Sequence, residues 1–188
     1  GGDDTLIAGN GNDSIDGGSG ADSINAGSGA DTVFGGDDND TIATGDAVAD
    51  TLFGGNGADS ILAGGGADSI NAGTGDDRLN AADGNNTVLG EGGNDTLIAG
   101  TGADTINAGT GDDSVNAASG ANTVYGEDGN DTISATGSSS NQLFGGAGED
   151  SITGAGGADS LDGGDDNDTI NASTGDDTVV GLSLIHIS

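Results

Sequence analysis

Residues 17–25 read GGSGADSIN and residues 26–34 read AGSGADTVF, and the nine-residue unit they share decides the fold. Aligned on its acidic slot, the unit runs the length of the chain. Asp or Asn stands at 4, 13, 22, 31, 40, 50, 59, 68, 77, 86, 95, 104, 113, 122, 131, 141, 150, 159, 168 and 177. The step is nine residues and lengthens to ten only at 40→50 and 131→141. Two residues after every slot stands Ile, Leu or Val, from Leu6 and Ile15 to Ile170 and Val179. Ser or Thr lies between slot and aliphatic, except at Arg78 and Gln142. Gly stands two residues before the slot, except at Asp38, Val48, Ser139 and Asp166.

The unit is therefore G-G-x-G-x-D-x-U-x, with U aliphatic. Full copies begin at Gly17, Gly54 and Gly145, whereas AGTGDD at Ala72 and Ala108 opens on Ala. Residues 66–98 closely match 102–134, a shift of 36, or four units. The glycines permit the positive φ of a tight turn. The D-S/T-U-x segment alternates polar and apolar, the pattern of a very short strand with one buried face. Such a strand cannot stand alone and must stack on copies of itself. Two units make one 18-residue coil, so the 20 slots predict an all-β parallel solenoid of about ten coils with two short strands each.

Composition limits what this solenoid can do. The 188 residues include 42 Gly, no Pro, Cys, Met or Trp, three Phe and one Tyr. Asp and Glu number 33 against a single basic residue, Arg78, giving a net charge of −32. Low hydrophobicity with high charge keeps a chain from staying compact unaided in water, which points to a missing cation. The absence of a basic patch excludes nucleic acid as a partner. No apolar run approaches the ~18 residues that span a bilayer. Without Cys there is no disulfide framework and no thiolate metal site.

The repeat closely resembles the RTX (hemolysin-type) calcium-binding nonapeptide repeat, whose fold is the parallel β-roll, and the resemblance covers residues 1–181. It implies Ca²⁺ ions held between successive same-side turns by slot carboxylates and by backbone carbonyls of the Gly-rich turns. The implied ligands are Asp4, Asp13, Asp22, Asp31, Asp40, Asp50, Asp59, Asp68, Asp77, Asp95, Asp104, Asp113, Asp131, Asp150, Asp159, Asp168 and Asp177. Asn86, Asn122 and Asn141 fill the other slots with a carbonyl oxygen and no charge. All three fall on one side of the roll, where both ten-residue steps also end, so the two sides are expected to bind calcium unequally. Replacing Gly by Asp38, Val48, Ser139 or Asp166 is expected to disturb turn geometry. The resemblance also implies secretion by a type I route, calcium-driven folding outside the cell, and flanking domains of a larger parent protein.

Other readings are weaker. A metal-free solenoid with a solvated acidic face would stack carboxylates at every level with nothing to neutralise them. Catalysis by paired carboxylates is disfavoured because every coil carries them and no insertion forms a pocket, so the segment reads as non-enzymatic. A structural stalk or adhesin, or an ice-binding solenoid, is the alternative. Ice binding needs a regular outward Thr array, and Thr74, Thr101, Thr110 and Thr174 share one turn position with Ser, Asn, Gly and Asp. The remaining acidic residues, such as Asp3, Asp76, Asp112 and Glu149, read as solvated turn charges. Phe34, Phe53, Leu89, Tyr125 and Phe144 share an outward position on one sheet, either as edge packing or as a docking stripe.

The chain begins inside a repeat at Gly1 and reads as a fragment. At the other end the register collapses at Leu182. Residues 182–188, LSLIHIS, are similar to the translation of a transposon-end sequencing adapter and are expected to be an artefact tail. His186 is therefore not assigned as a ligand.

Overall fold

The computed structural model describes residues 1–181 and the backbone of 186–187. Each D-S/T-U-x segment opens a strand. Thr5–Asn10, Ser23–Ser28, Thr41–Thr44 and their successors form an eleven-stranded sheet. Ser14–Ser19, Thr32–Asp37, Thr51–Asn56 and theirs form a ten-stranded sheet. Every strand pairs in parallel with the strands one coil away, so the two sheets wind as a single solenoid. This is the all-β parallel roll of about ten coils that the repeat dictates. His186–Ile187 add a two-residue strand beside Thr169–Asn171; residues 182–185 and 188 of the expected tail lie outside the described residues. Among the described residues no helix is long and apolar enough to cross a membrane.

The alternation of the unit sorts side chains into rows. The aliphatic of each unit points inward, and from Ile24 to Ile170 every one is buried. Leu6, Ile15 and Val179 are partly exposed because the end coils lack a neighbour on one side. The residue two positions further on also faces inward, and its Ala side chains, such as Ala26, Ala72 and Ala99, complete the core. Ser or Thr and the residue before the inward Ala or Gly face outward. The core is thus one aliphatic ladder per sheet.

Two edges join the sheets. At the first edge the chain enters the eleven-stranded sheet through slots 4, 22, 40, 59, 77, 95, 113, 131, 150 and 168. At the second edge it enters the ten-stranded sheet through slots 13, 31, 50, 68, 86, 104, 122, 141, 159 and 177. Both ten-residue units lie on the second edge. In the strands leading into them the register against the preceding coil shifts at Asn25/Gly27 and Asn116/Ala118, which leaves the extra residue to the turn.

Candidate metal centre

The slot side chains point into the solenoid. Every slot from 22 to 168 is at most 3% exposed; Asp4 is exposed and Asp13 and Asp177 are half-buried at the end coils. A solvated acidic face is thereby ruled out. From Asp22 onward each slot side chain turns one oxygen, Oδ1, toward the coil before it and accepts the backbone N–H of the slot there. On the first edge Asp22 N–H donates to Asp40 Oδ1 at 2.8 Å, Asp59 N–H to Asp77 Oδ1 at 2.7 Å and Asp95 N–H to Asp113 Oδ1 at 2.7 Å. On the second edge Asp31 N–H donates to Asp50 Oδ1 and Asp50 N–H to Asp68 Oδ1, both at 2.9 Å. This ladder is a structural role that the spacing alone did not disclose.

The other carboxylate oxygen, Oδ2, has no such partner. It is buried without any hydrogen-bond donor in Asp13, Asp22, Asp31, Asp40, Asp50, Asp59, Asp68, Asp77, Asp95, Asp104, Asp113, Asp131, Asp150 and Asp168. Buried acceptors without donors are costly, roughly 1–3 kcal/mol each and more when charged. Their surroundings make the need specific. The point where a Cβ would sit on Gly17 lies 2.5 Å from both Asp22 Oδ2 and the carbonyl oxygen of Gly35 in the next coil. At Gly145 the corresponding distances are 2.2 Å to Asp150 Oδ2 and 2.4 Å to the Gly163 carbonyl. Gly35, Gly54, Gly90 and Gly126 repeat the arrangement along the first edge. An orphaned carboxylate oxygen thus faces a backbone carbonyl of the following turn across a gap kept open by Gly. Oxygens lining a gap with no donor fit a hard cation such as Ca²⁺, which takes six to eight oxygen ligands in flexible geometry. Among the described residues no three His, Cys, Asp or Glu side chains gather as a metal group, so such an ion takes most of its ligands from the backbone.

The electrostatics agree. Burial pushes the Asp59, Asp68 and Asp150 carboxyls up to about 6 and those of Asp77 and Asp113 up to about 7. The N–H bond from the preceding slot pulls each down, and neighbouring carboxylates push it up again. Asp40, Asp95, Asp104, Asp131 and Asp168 are also raised, chiefly by burial. Without a cation these columns are reluctant to ionise.

The second edge is built differently. The residue five before its slots is Ala at 8, 26, 63, 81, 99, 117 and 172, whereas the first edge carries Gly there at all but Ala72 and Ala108. Asp159 Oδ2 is satisfied by the Ala155 N–H at 2.9 Å. The expected disturbance of the turn appears only in part. Asp38 and Asp166 adopt φ of 77° and 76°, the left-handed region their glycine counterparts use, and so preserve the turn. Val48 and Ser139 lie in the ten-residue units and do not adopt it.

A second, outer ladder escaped the sequence reading. The residue before the slot caps its counterpart one coil on: Ala21 N–H donates to Asp3 Oδ1, Asn94 N–H to Asp76 Oδ1 and Asn130 N–H to Asp112 Oδ1. These acidic residues stay exposed and align the turns. The outward aromatics form two separate stacks, Phe34 on Phe53 with centroids 4.8 Å apart and Tyr125 on Phe144 at 5.0 Å. Asn71, Leu89 and Asn107 lie between them, so the row is not one continuous apolar strip.

Comparison with known proteins places this geometry. The family model of the RTX calcium-binding nonapeptide repeat (4 copies) matches at residues 1–33, 17–47, 44–79, 63–97, 71–106, 98–133, 135–170 and 162–183. No curated protein matches the chain. Among solved structures, it is similar to a hyperactive, Ca²⁺-dependent, β-helical antifreeze protein from an Antarctic bacterium, with a TM-score of 0.73 and 26% identity. That match covers 89% of this chain and 57% of the other, so the chain spans little more than half the length of that protein.

Proposed function

Because the chain belongs to the RTX calcium-binding nonapeptide repeat family, a calcium-binding fold of several ions, we propose that residues 1–181 are a folding module that calcium switches on. The slot Asp residues hold the ions: Oδ1 stays in the backbone ladder and Oδ2 turns to the cation beside the carbonyls of the next turn. The observation that carries this reading is the set of fourteen buried Asp Oδ2 atoms without a donor. Ten turns per edge leave at most nine inter-turn positions on each, and eighteen ions would bring +36 against −32. In the cytosol, where calcium is scarce, the chain stays unfolded and suits passage through a narrow export channel. Outside, millimolar Ca²⁺ folds it; extracellular calcium modules bind at about 10⁻⁴–10⁻³ M. In this reading the segment is secreted, carries no reaction of its own and serves flanking domains of its parent.

Circular dichroism during Ca²⁺ and Mg²⁺ titrations tests the proposal. We expect a disordered spectrum in chelator and β structure in millimolar Ca²⁺, because a ligand that binds only the folded state stabilises it. Mg²⁺ demands stricter octahedral geometry and should be far less effective. An unchanged spectrum, or an equal response to Mg²⁺, rejects the reading.

The likeness to an antifreeze protein favours a second reading, an ice-binding face. The outward row at the start of the ten-stranded sheet interrupts its Thr residues with Ser14, Ser69, Gln142 and Ser160, which is not the regular Thr array such a face needs. Thermal hysteresis of the calcium-loaded chain separates the two readings, and we expect none.

A further inference from the structure

We infer that Asn86, Asn122 and Asn141 are built-in substitutes for calcium, so that the turns closing on them are satisfied by the protein and take no ion. The inference rests on the calcium reading of the Asp turns and concerns where along the second edge that reading stops.

Each of the three keeps what a slot Asp does with Oδ1. Asp68 N–H donates to Asn86 Oδ1 and Asp104 N–H to Asn122 Oδ1, both at 2.9 Å, and Asn122 N–H donates to Asn141 Oδ1 at 3.1 Å. What changes is the second atom. Where Asp presents an acceptor, Asn presents Nδ2 with two hydrogens, and in Asn86 and Asn122 Nδ2 is turned to the turn-opening carbonyls an ion would bind. Asn86 Nδ2 reaches the carbonyls of Ala81 at 3.5 Å, Gly84 at 3.4 Å and Ala99 at 3.4 Å. Ala81 opens its own turn and Ala99 opens the turn of the next coil, the register of the Gly17 and Gly35 carbonyls on the first edge. Asn122 Nδ2 donates to the Ala117 carbonyl at 2.9 Å, again the opening residue of its turn. Asn141 Nδ2 donates to the Ser139 carbonyl and to Asp159 Oδ1, both at 3.1 Å.

A carboxamide and a divalent cation compete for these carbonyls, and the amide is covalently in place. It also removes one negative charge from a column of stacked carboxylates, so the demand for a cation falls where the supply of ligands falls. With Asp159 Oδ2 already held by the Ala155 N–H, the second-edge slots Asn122, Asn141 and Asp159 contain no unpartnered buried oxygen. The second edge is thus calcium-dependent in its N-terminal half, at Asp13, Asp31, Asp50 and Asp68, and carries protein-made closures through most of the rest.

The test is calcium stoichiometry by equilibrium dialysis on the full chain and on the triple variant Asn86→Asp, Asn122→Asp, Asn141→Asp. We expect the variant to bind additional ions, one for each carboxylate restored. The triple variant Asp77→Asn, Asp95→Asn, Asp113→Asn on the first edge serves as the converse and should bind fewer ions. If the unmodified chain binds calcium and the Asn→Asp variant binds no more, the substitution idea fails while the calcium reading stands. If the unmodified chain binds no calcium, the calcium reading itself fails. Should the Asn→Asp variant not fold at any calcium concentration, the single variant Asn122→Asp is measured, and an unchanged ion count there overturns the inference.

Discussion

Along the first edge every slot from Asp22 to Asp168 buries an oxygen without a donor, whereas along the second edge only Asp13, Asp31, Asp50, Asp68 and Asp104 do. The same nine-residue unit builds both. The difference lies at the slot, Asp against Asn, because Asp77 and Asp113 keep an orphaned oxygen behind Ala72 and Ala108 just as others do behind Gly. Asp leaves an acceptor there, where Asn places a donor. One N–H per slot, delivered from the neighbouring coil, occupies Oδ1, and along the first edge nothing supplies a second donor. An edge kept in this state needs a cation, and an edge relieved of it by amides needs fewer.

The largest way to break this contrast is to convert the centre of the first edge. Asp77→Asn, Asp95→Asn and Asp113→Asn together disturb four inter-turn positions. At about 1 kcal/mol per lost ion in millimolar calcium, the loss is roughly 3–5 kcal/mol. Denaturant unfolding in calcium measures it, and the same triple change at Asp31, Asp50 and Asp68 should cost less because fewer ions adjoin it. Equal losses on the two edges would erase the distinction.

Acidity sharpens the contrast without mutation. In chelator the raised carboxyls of the folded chain, about 6 for Asp59, Asp68 and Asp150 and about 7 for Asp77 and Asp113, hold protons that the unfolded chain, at 3.8, releases. The folded state therefore gains stability as pH falls through 7 and 6 and loses it as pH rises through the same window. Dichroism in chelator should show more β structure at pH 5 than at pH 8. Four of these five groups lie on the first edge, so the first-edge triple variant should flatten the profile.

A smaller effect is expected at Gly145→Ala, where the new Cβ would meet Asp150 Oδ2 at 2.2 Å and the Gly163 carbonyl at 2.4 Å. Overpacking against backbone costs about 1–3 kcal/mol, and a calcium ion should be lost with it. Unchanged stoichiometry would mean the gap is not the ion's. The smallest concerns Ala118 on the second edge, at φ 51° with its N–H capped by Asn116 Oδ1 at 3.0 Å. Ala118→Gly relieves the left-handed strain and should stabilise by about 0.5–1 kcal/mol, with calcium binding unaltered.

The fold was legible in the sequence because the aliphatic two after each slot never fails, and an uninterrupted inward row leaves one way to stack. The slot Asp residues were legible as ligand candidates for the same reason. What their spacing did not disclose depends on neighbours one coil away. Asp40 Oδ1 is occupied by an N–H from Asp22, Asp3 and Asp76 cap exposed turns, and the space beside Gly17 and Gly145 meets a carbonyl of the next coil. The sequence marked the Asn slots as uncharged; that Asn86 Nδ2 turns onto Ala81, Gly84 and Ala99 required the stacked coils.

The central claim is that each unpartnered slot oxygen marks a calcium position. Crystals grown at limiting Ca²⁺ test it most directly, through anomalous scattering from the ions. The account predicts occupied positions between successive first-edge turns from Asp22 to Asp168 and empty turns at Asn86, Asn122 and Asn141. Equal occupancy beside those three Asn residues, or none between Asp77 and Asp131, would contradict it.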